Sequence, residues 1–443
     1  MINKIQRKFK NISSTLLEVK QRIILLIFVI IIFRIGLFVP IPGINYFVVL
    51  NFLQLQKGNI FDLFNMFSGG ALSHASIFSL GITPYISASI IMQLLTLKKK
   101  NLFHTKIDEQ KKKKHSQYIR YITLLISVLQ SIGISYALPH IDGISGLIKD
   151  FNVRFVLTTI ISLSTGTMIV MWLGELVTAF GIGNGISMIV FLGIISKFPI
   201  SILHAMNFFW LKSFAFLYII LILSVIFFIT FFIVFIESSY RKVNLYYSKQ
   251  RYVNTVYMTH NTHLPLKLNM SGIIPSILAS SVVIFLFMLC TYLSNYVHSN
   301  ILLNIIYYMH PGHILYIFFY CFLVIFFCYI YSFSVCNSRD IAENLKRSGV
   351  LIPGIRPGLQ TSSYIGGIIK RLILINAIYI IFIYFFSDIL KLIVHVPFYF
   401  GGTSLLILVV VIIEFMTQFQ TLMISNKYNS ILKKFPLSKH NLY

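Results

Sequence analysis

"NMFSGGALSHASIFSLGITPYISASIIMQLL" runs from Asn65 to Leu95, and the fold turns on how it is read. Its first third holds Ser68, Gly69, Gly70 and His74 and is too polar to cross hydrocarbon. The same third holds Met66, Phe67, Ala71 and Leu72 and is too apolar for an ordinary water-facing loop. The remainder has the composition of a membrane helix, yet carries Pro84, Ser87 and Ser89. Irregular backbone at membrane depth is tolerated only where it is buried in protein or lines a water-filled cavity. The stretch therefore asks whether the rest of the chain encloses such a cavity.

The composition answers part of this. Of 443 residues, 57% are hydrophobic and 11% charged, and the mean hydropathy is +0.82. A water-soluble domain of that make-up would expose too much apolar surface. Apolar runs long enough to cross about 30 Å of hydrocarbon recur near 23–42, 77–97, 118–138, 155–174, 185–203, 215–236, 271–293, 313–333, 372–392 and 398–422. They predict an all-α polytopic membrane protein of about ten transmembrane helices. The short alternating segments of a transmembrane barrel are not seen. A basic start leads into a first span without a cleavage pattern, so no removable leader is expected.

Lys and Arg number 37 against 12 Asp and Glu, a net charge of +25. The basic residues concentrate in the segments after the second, sixth, eighth and tenth spans, which places both termini in the cytoplasm. Such loops also meet anionic lipid, and the excess leaves room for an acidic cytoplasmic partner. Five spans precede a short 204–214 connection and five follow it. An odd number per half reverses the second half, the arithmetic of an inverted repeat with a path between the halves. The expected units are 1–203 and 204–443, with cytoplasmic loops at about 237–270 and 334–371. Punctuation by Pro and Gly in "GVLIPGIRPGLQ" (Gly349–Gln360) marks a shaped tip in the second loop.

No HExxH, nucleophile elbow or phosphate-binding loop appears, so neither hydrolysis nor an enzymatic role is expected. "GIGNG" (Gly181–Gly185) lacks the strand and acidic partner of a dinucleotide site and reads as a hinge into the fifth span. Cys290, Cys321, Cys328 and Cys336 lie in or beside apolar runs, without metal-site spacing. No cofactor or metal is expected. Arg34, Glu175, Glu237 and Glu414 are the ionisable residues in or near spans. Such groups face protein or water, and they are fewer than an ion-coupled solute transporter normally shows. Three classes stay open on these grounds: a passive polypeptide channel, a small-solute transporter and a membrane-embedded enzyme.

Six stretches in order resemble the SecY family, the channel subunits of bacterial-type Sec protein translocons. They are "FRIGLFVPIPGI" (Phe33–Ile44), "MFSGGALSHASIFSLGITPYISASI" (Met66–Ile90), "MWLGE" (Met171–Glu175) with "GIGNGIS" (Gly181–Ser187), "THLPLKLNMSGIIPSILASS" (Thr262–Ser281), "NLKRSGVLIPGIRPG" (Asn344–Gly358) and "PFYFGGTSLLILVVV" (Pro397–Val411). The resemblance implies two inverted five-helix halves around an hourglass pore. It makes the opening stretch a re-entrant plug at about 60–76, carried by Phe64, Asn65, Met66, Phe67, Ser68, Gly69, Gly70, Ala71 and Leu72. It places the constriction on Ile82, Ile86, Ile186, Val190, Ile277 and Ile407, where an aliphatic ring resists ions by dewetting. It places a lateral gate between the second and seventh spans, with Ser87, Gln130, Ser280 and Ser281 as polar contacts between helices.

The resemblance also implies docking of the ribosome and the SecA motor through Arg356, Lys249, Arg251, Lys346 and Arg347. Implied partners are SecE, SecG, signal peptides, nascent chains and anionic lipids, with YidC and SecDF beyond them, in the bacterial inner membrane. The chain departs from the family pattern at Asn254 and Thr255, where a basic pair is usual, and at Ala179 and Phe180, where an acidic and a basic residue are usual. His74 replaces an Arg, Leu359 a Glu and Val190 an Ile. The pore parts follow the pattern more closely than the partner surfaces.

Overall fold

The computed structural model describes residues 2–44, 68–71, 74–100, 109–137, 152–210, 215–247, 262–296, 305–308, 313–394 and 402–432. Every expected span coincides with a helix. In chain order the long helices are α1 (Ile2–Gly36), α2 (Thr83–Lys100), α3 (Glu109–Ala137), α4 (Val153–Phe180), α5 (Gly185–Trp210), α6 (Ala215–Ser238), α7 (Ile274–Tyr296) and α8 (Ile314–Val335). A short α9 (Ser338–Arg347) precedes the long α10 (Leu359–Val394) and α11 (Gly402–Leu432). Helices are the natural outcome for apolar runs, because in lipid each backbone polar group must be satisfied within its own segment. Among the described residues, five stretches meet the length and composition needed to cross a membrane: Lys113–Tyr136, Val153–Phe180, Ile314–Arg347, Leu359–Phe386 and Gly402–Ser425. Gly185–Ser196, Ser224–Ser238 and Ile274–Phe287 are shorter apolar helical stretches.

Several boundaries differ from the sequence reading. The first helix stops at Gly36 rather than 42, ahead of Pro40 and Pro42. Residues 77–82 are turns, not the start of the second span. Pro84 is thereby the second residue of α2, in the first turn, where a missing N–H costs nothing. The fifth helix continues through Pro199 to Trp210, so 204–210 is helix rather than connection.

The two segments expected as long loops are joined by strand pairing among the described residues. The first contains the antiparallel strands β1 (Tyr240–Tyr247) and β2 (Thr262–Lys267), with Val243 opposite Leu264. Their pattern turns Val243, Leu245 and Leu266 inward and leaves Arg241, Lys242 and Lys267 exposed. The second loop opens with α9, whose N-terminus is capped by the Asn337 side chain accepting from the Arg339 N–H at 3.2 Å. Asp340 in its first turn and Lys346 and Arg347 in its last suit the helix dipole. Next comes β3 (Val350–Leu351), which pairs antiparallel with β1 through Tyr246–Leu351 and Tyr247–Val350. The three-stranded order β2-β1-β3 ties the two segments into one platform.

Among the described residues the first five spans meet the last five along two seams. On one side α11 packs against α5 and α1; on the other, α7 packs more thinly against α2 and α3. A continuous buried apolar cluster draws on both sets of helices.

Candidate functional site

The six proposed constriction residues come from four elements, all near helix N-termini. Ile82 closes the turn before α2 and accepts the Ile86 N–H at 3.1 Å, which sets the two side chains one turn apart. Ile186 and Val190 lie in the first two turns of α5, Ile277 in the first turn of α7 and Ile407 near the start of α11. Ile82, Ile86, Val190, Ile277 and Ile407 are buried members of the continuous cluster, and Ile186 packs against it half-buried. Gly174 of α4 makes room for this packing. A Cβ there would stand 3.3 Å from Ile189 Cδ1 and 3.6 Å from Ile82 Cδ1.

Of the plug positions, Ser68, Gly69, Gly70 and Ala71 are described, and all four are buried in a turn. Phe64, Asn65, Met66, Phe67 and Leu72 lie outside the described residues. Gly69 and Gly70 adopt φ of +75° and +88°, the left-handed region that favours glycine. The Gly69 carbonyl accepts the Ser196 hydroxyl of α5 at 3.0 Å. Beyond the turn the chain is strapped to the end of α1. Ile41 N–H donates to the Ala75 carbonyl at 2.8 Å, Ile77 N–H donates to the Val39 carbonyl at 3.0 Å, and Pro40 bridges to Ser76. His74 packs its ring on Phe38 with centroids 4.9 Å apart.

Among the described residues the gate serines show no hydrogen bond across helices. Each hydroxyl donates to a carbonyl of its own helix: Ser87 to Thr83 at 3.1 Å, Ser280 to Ile277 at 2.8 Å and Ser281 to Leu278 at 2.9 Å. A helix carbonyl three or four residues back is always within reach, so it outcompetes a partner on a neighbouring helix. The expectation of polar bridges between helices is corrected accordingly. Gln130 of α3 is different, since its Oε1 is buried with no hydrogen-bond partner among the described residues.

On the platform Arg356 is exposed at the tip between β3 and α10, with Gly354 at φ +77° and Gly358 at φ +109° shaping the turn. Thr361 Oγ1 donates to the Arg356 carbonyl at 2.8 Å and holds the tip to α10. Lys346 and Arg347 are exposed on α9, and Arg347 lies 3.5 Å from Glu343 one turn back. Lys249 and Arg251 lie outside the described residues.

The ionisable residues near spans are mostly tied to structure. The Arg120 fork of α3 meets Glu175 of α4 through Nε at 3.2 Å and Nη2 at 2.6 Å. The Arg34 guanidinium lies 5.6 Å from the Phe38 ring centre. Glu237 accepts from Asn269 Nδ2 at 2.5 Å, opening a chain the sequence reading missed. Ser271 Oγ donates to Asn269 Oδ1 at 3.3 Å, and Asn376 Nδ2 of α10 donates to Ser271 Oγ at 2.6 Å. This chain ties the end of α6, the lead into α7 and α10 together. Glu414 of α11 borders it, its Oε1 3.6 Å from where a Cβ on Gly272 would stand. The run "NMSG" (Asn269–Gly272), polar and glycine-ended before an apolar span, was the available signal.

Three comparisons bear on this architecture. The SecY family model matches residues 76–416. The chain is 47% identical over 427 residues, 96% of both proteins, to protein translocase subunit SecY of Escherichia coli strain K12. It superposes with a TM-score of 0.67 at 16% identity on a SecY structure whose plug domain is described as stabilising the closed channel, covering 96% of this chain and 95% of that one. It superposes with a TM-score of 0.64 at 14% identity on Sec61 of a canine ribosome–channel complex from the endoplasmic reticulum, covering 96% and 95%. With ten long helices among the described residues, a buried glycine turn beside α5 and near-half identity along almost the whole chain, this protein belongs to the SecY family, the pore-forming subunits of protein translocation channels.

Proposed function

We propose that Ile82, Ile86, Ile186, Val190, Ile277 and Ile407 close a single aliphatic constriction through which unfolded polypeptides pass, and that apolar segments leave sideways between α2 and α7. The observation that carries this reading is that, of six aliphatic positions from four separate elements near helix N-termini, five join one continuous apolar cluster and Ile186 packs against it. A ring without hydrogen-bonding groups resists ions by dewetting and closes around any extended chain regardless of sequence. The turn at Ser68–Ala71 belongs to a plug on the outer side of the ring. The thin seam between α2 and α7, with its serines satisfied in place, suits a gate that opens at little cost.

The channel sits in the bacterial inner membrane with both termini in the cytoplasm. The platform docks the ribosome and the SecA motor through Arg356, with Lys249, Arg251, Lys346 and Arg347 around it. SecE and SecG complete the channel, signal peptides and nascent chains traverse it, YidC and SecDF act alongside, and anionic lipids meet the basic loops.

The ring is tested by replacing two or more of its members with Gly or Ser in reconstituted channels. The expected result is a rise in resting ion conductance with export retained. Residues that serve packing alone would instead cost about 2–5 kcal/mol each on truncation and deplete the folded channel. Unchanged conductance with lost export would overturn the ring.

A further inference from the structure

We infer that Ser196 of α5 is a latch that holds the plug closed and regulates how readily the channel opens. The inference rests on the plug reading and adds the residue that sets its resting position. The Ser196 hydroxyl lies 3.0 Å from the Gly69 carbonyl, 127 residues away in sequence, and 2.7 Å from the Gly193 carbonyl in its own helix. One proton is shared between two acceptors. The backbones meet closely here: a Cβ on Gly69 would lie 2.9 Å from the Gly193 Cα, so only glycine lets the turn sit this near α5. Ser68 and Ala71 on either side are buried.

The geometry makes release cheap. When the plug leaves, the hydroxyl keeps the Gly193 carbonyl three residues back, so no donor is orphaned in α5. The Gly69 carbonyl passes into the opened funnel, where water replaces the lost donor. The contact is therefore worth one shared hydrogen bond. Hydrogen bonds of this kind between membrane segments are weak on average, and removing one shifts the closed-to-open balance about threefold. That suits a closure to be undone by an arriving signal segment.

The test compares four reconstituted channels: wild type, Ser196→Ala, a channel lacking the plug from Phe64 to Leu72, and the two changes combined. Resting ion conductance and export of a preprotein with a defective signal are measured on each. Ser164→Ala serves as control, because among the described residues its hydroxyl bonds only to the Ile161 carbonyl of its own helix at 3.1 Å. The expected result is about a threefold rise in both readouts for Ser196→Ala. No rise is expected for Ser164→Ala, and no further rise when Ser196→Ala is added to the plug-deleted channel. If plug deletion opens the channel and Ser196→Ala does not, the latch is wrong and the plug stands. Equal effects of Ser196→Ala with and without the plug, or equal effects at Ser164, would also overturn the latch. If plug deletion itself changes neither readout, the plug reading falls and takes the latch with it.

Discussion

An Arg356→Glu channel is expected to lose motor-driven export while retaining membrane insertion, assembly with its small partners and closed-state conductance. The structure explains why the loss should be confined to docking. Arg356 stands exposed on a tip held by the Thr361 hydroxyl and the Ile355 N–H bond to the Ile352 carbonyl at 3.1 Å. Val350 and Ile352 below it are buried, and β3 is paired to β1, so a new charge at the tip meets solvent and not the core. Pro353 and Pro357 restrict the backbone on either side. A guanidinium offers a planar fork for carboxylate or phosphate, and a Glu turns that attraction into repulsion. Loss of a close charge contact in a docked interface costs about 2–5 kcal/mol, so export should fall by more than about tenfold. Arg356→Lys keeps the charge without the fork and should be partly active. Asn254 and Thr255 carry no charge, so under the proposed docking Arg356 should bear the larger share. The check is translocation into vesicles at a motor concentration below saturation, with motor binding at two salt concentrations, since an exposed charge contact weakens with salt. Normal export by the Glu variant, with the channel intact, would refute the docking role.

The second large effect concerns the gate. A disulfide between Ser87→Cys and Ser281→Cys should stop export completely, and reductant should restore it. Both positions are half-buried on helices in contact, and their hydroxyls bond within their own helices, so either replacement breaks no bridge. The bond forms only if the two Cα atoms come within about 4.4–6.8 Å. Neither single cysteine should block export, which separates the bridge from the native Cys290, Cys321, Cys328 and Cys336. Efficient export with the bridge shown to be formed would remove the lateral gate from this seam.

Much of the helical scaffold was legible because lipid leaves few choices. Once a run is apolar and long enough, helix follows, and every expected span coincides with one. Helix ends were less legible. Pro40 and Pro42 follow an apolar stretch without breaking its hydropathy, and the turns at 77–82 are as apolar as the helix they lead into. The platform of strands was missed for another reason. Reading 237–270 by charge hid the alternation of Val243 and Leu245 against Arg241, Lys242 and Asn244. The two-residue β3 carries no pattern of its own and exists through its pairing to β1. Serines misled in the opposite direction. Polarity within a span reads as a contact between helices, but at Ser87, Ser280 and Ser281 the helix satisfies it locally. At Ser196 the same local bond is shared with the Gly69 carbonyl, a distant contact that sequence spacing does not encode.

The central claim is that a polypeptide crosses at the aliphatic ring. It is tested most directly by stalling a preprotein midway with one cysteine in its mature region. Disulfide formation is then measured with cysteines placed singly at Ile82, Ile186, Ile277 and Ile407, and at Phe227, which is 73% exposed on the outside of α6. The account predicts bonds at all four ring positions while the chain is stalled, their loss on release, and none at Phe227. Bonds at Phe227 with none at the ring would contradict it.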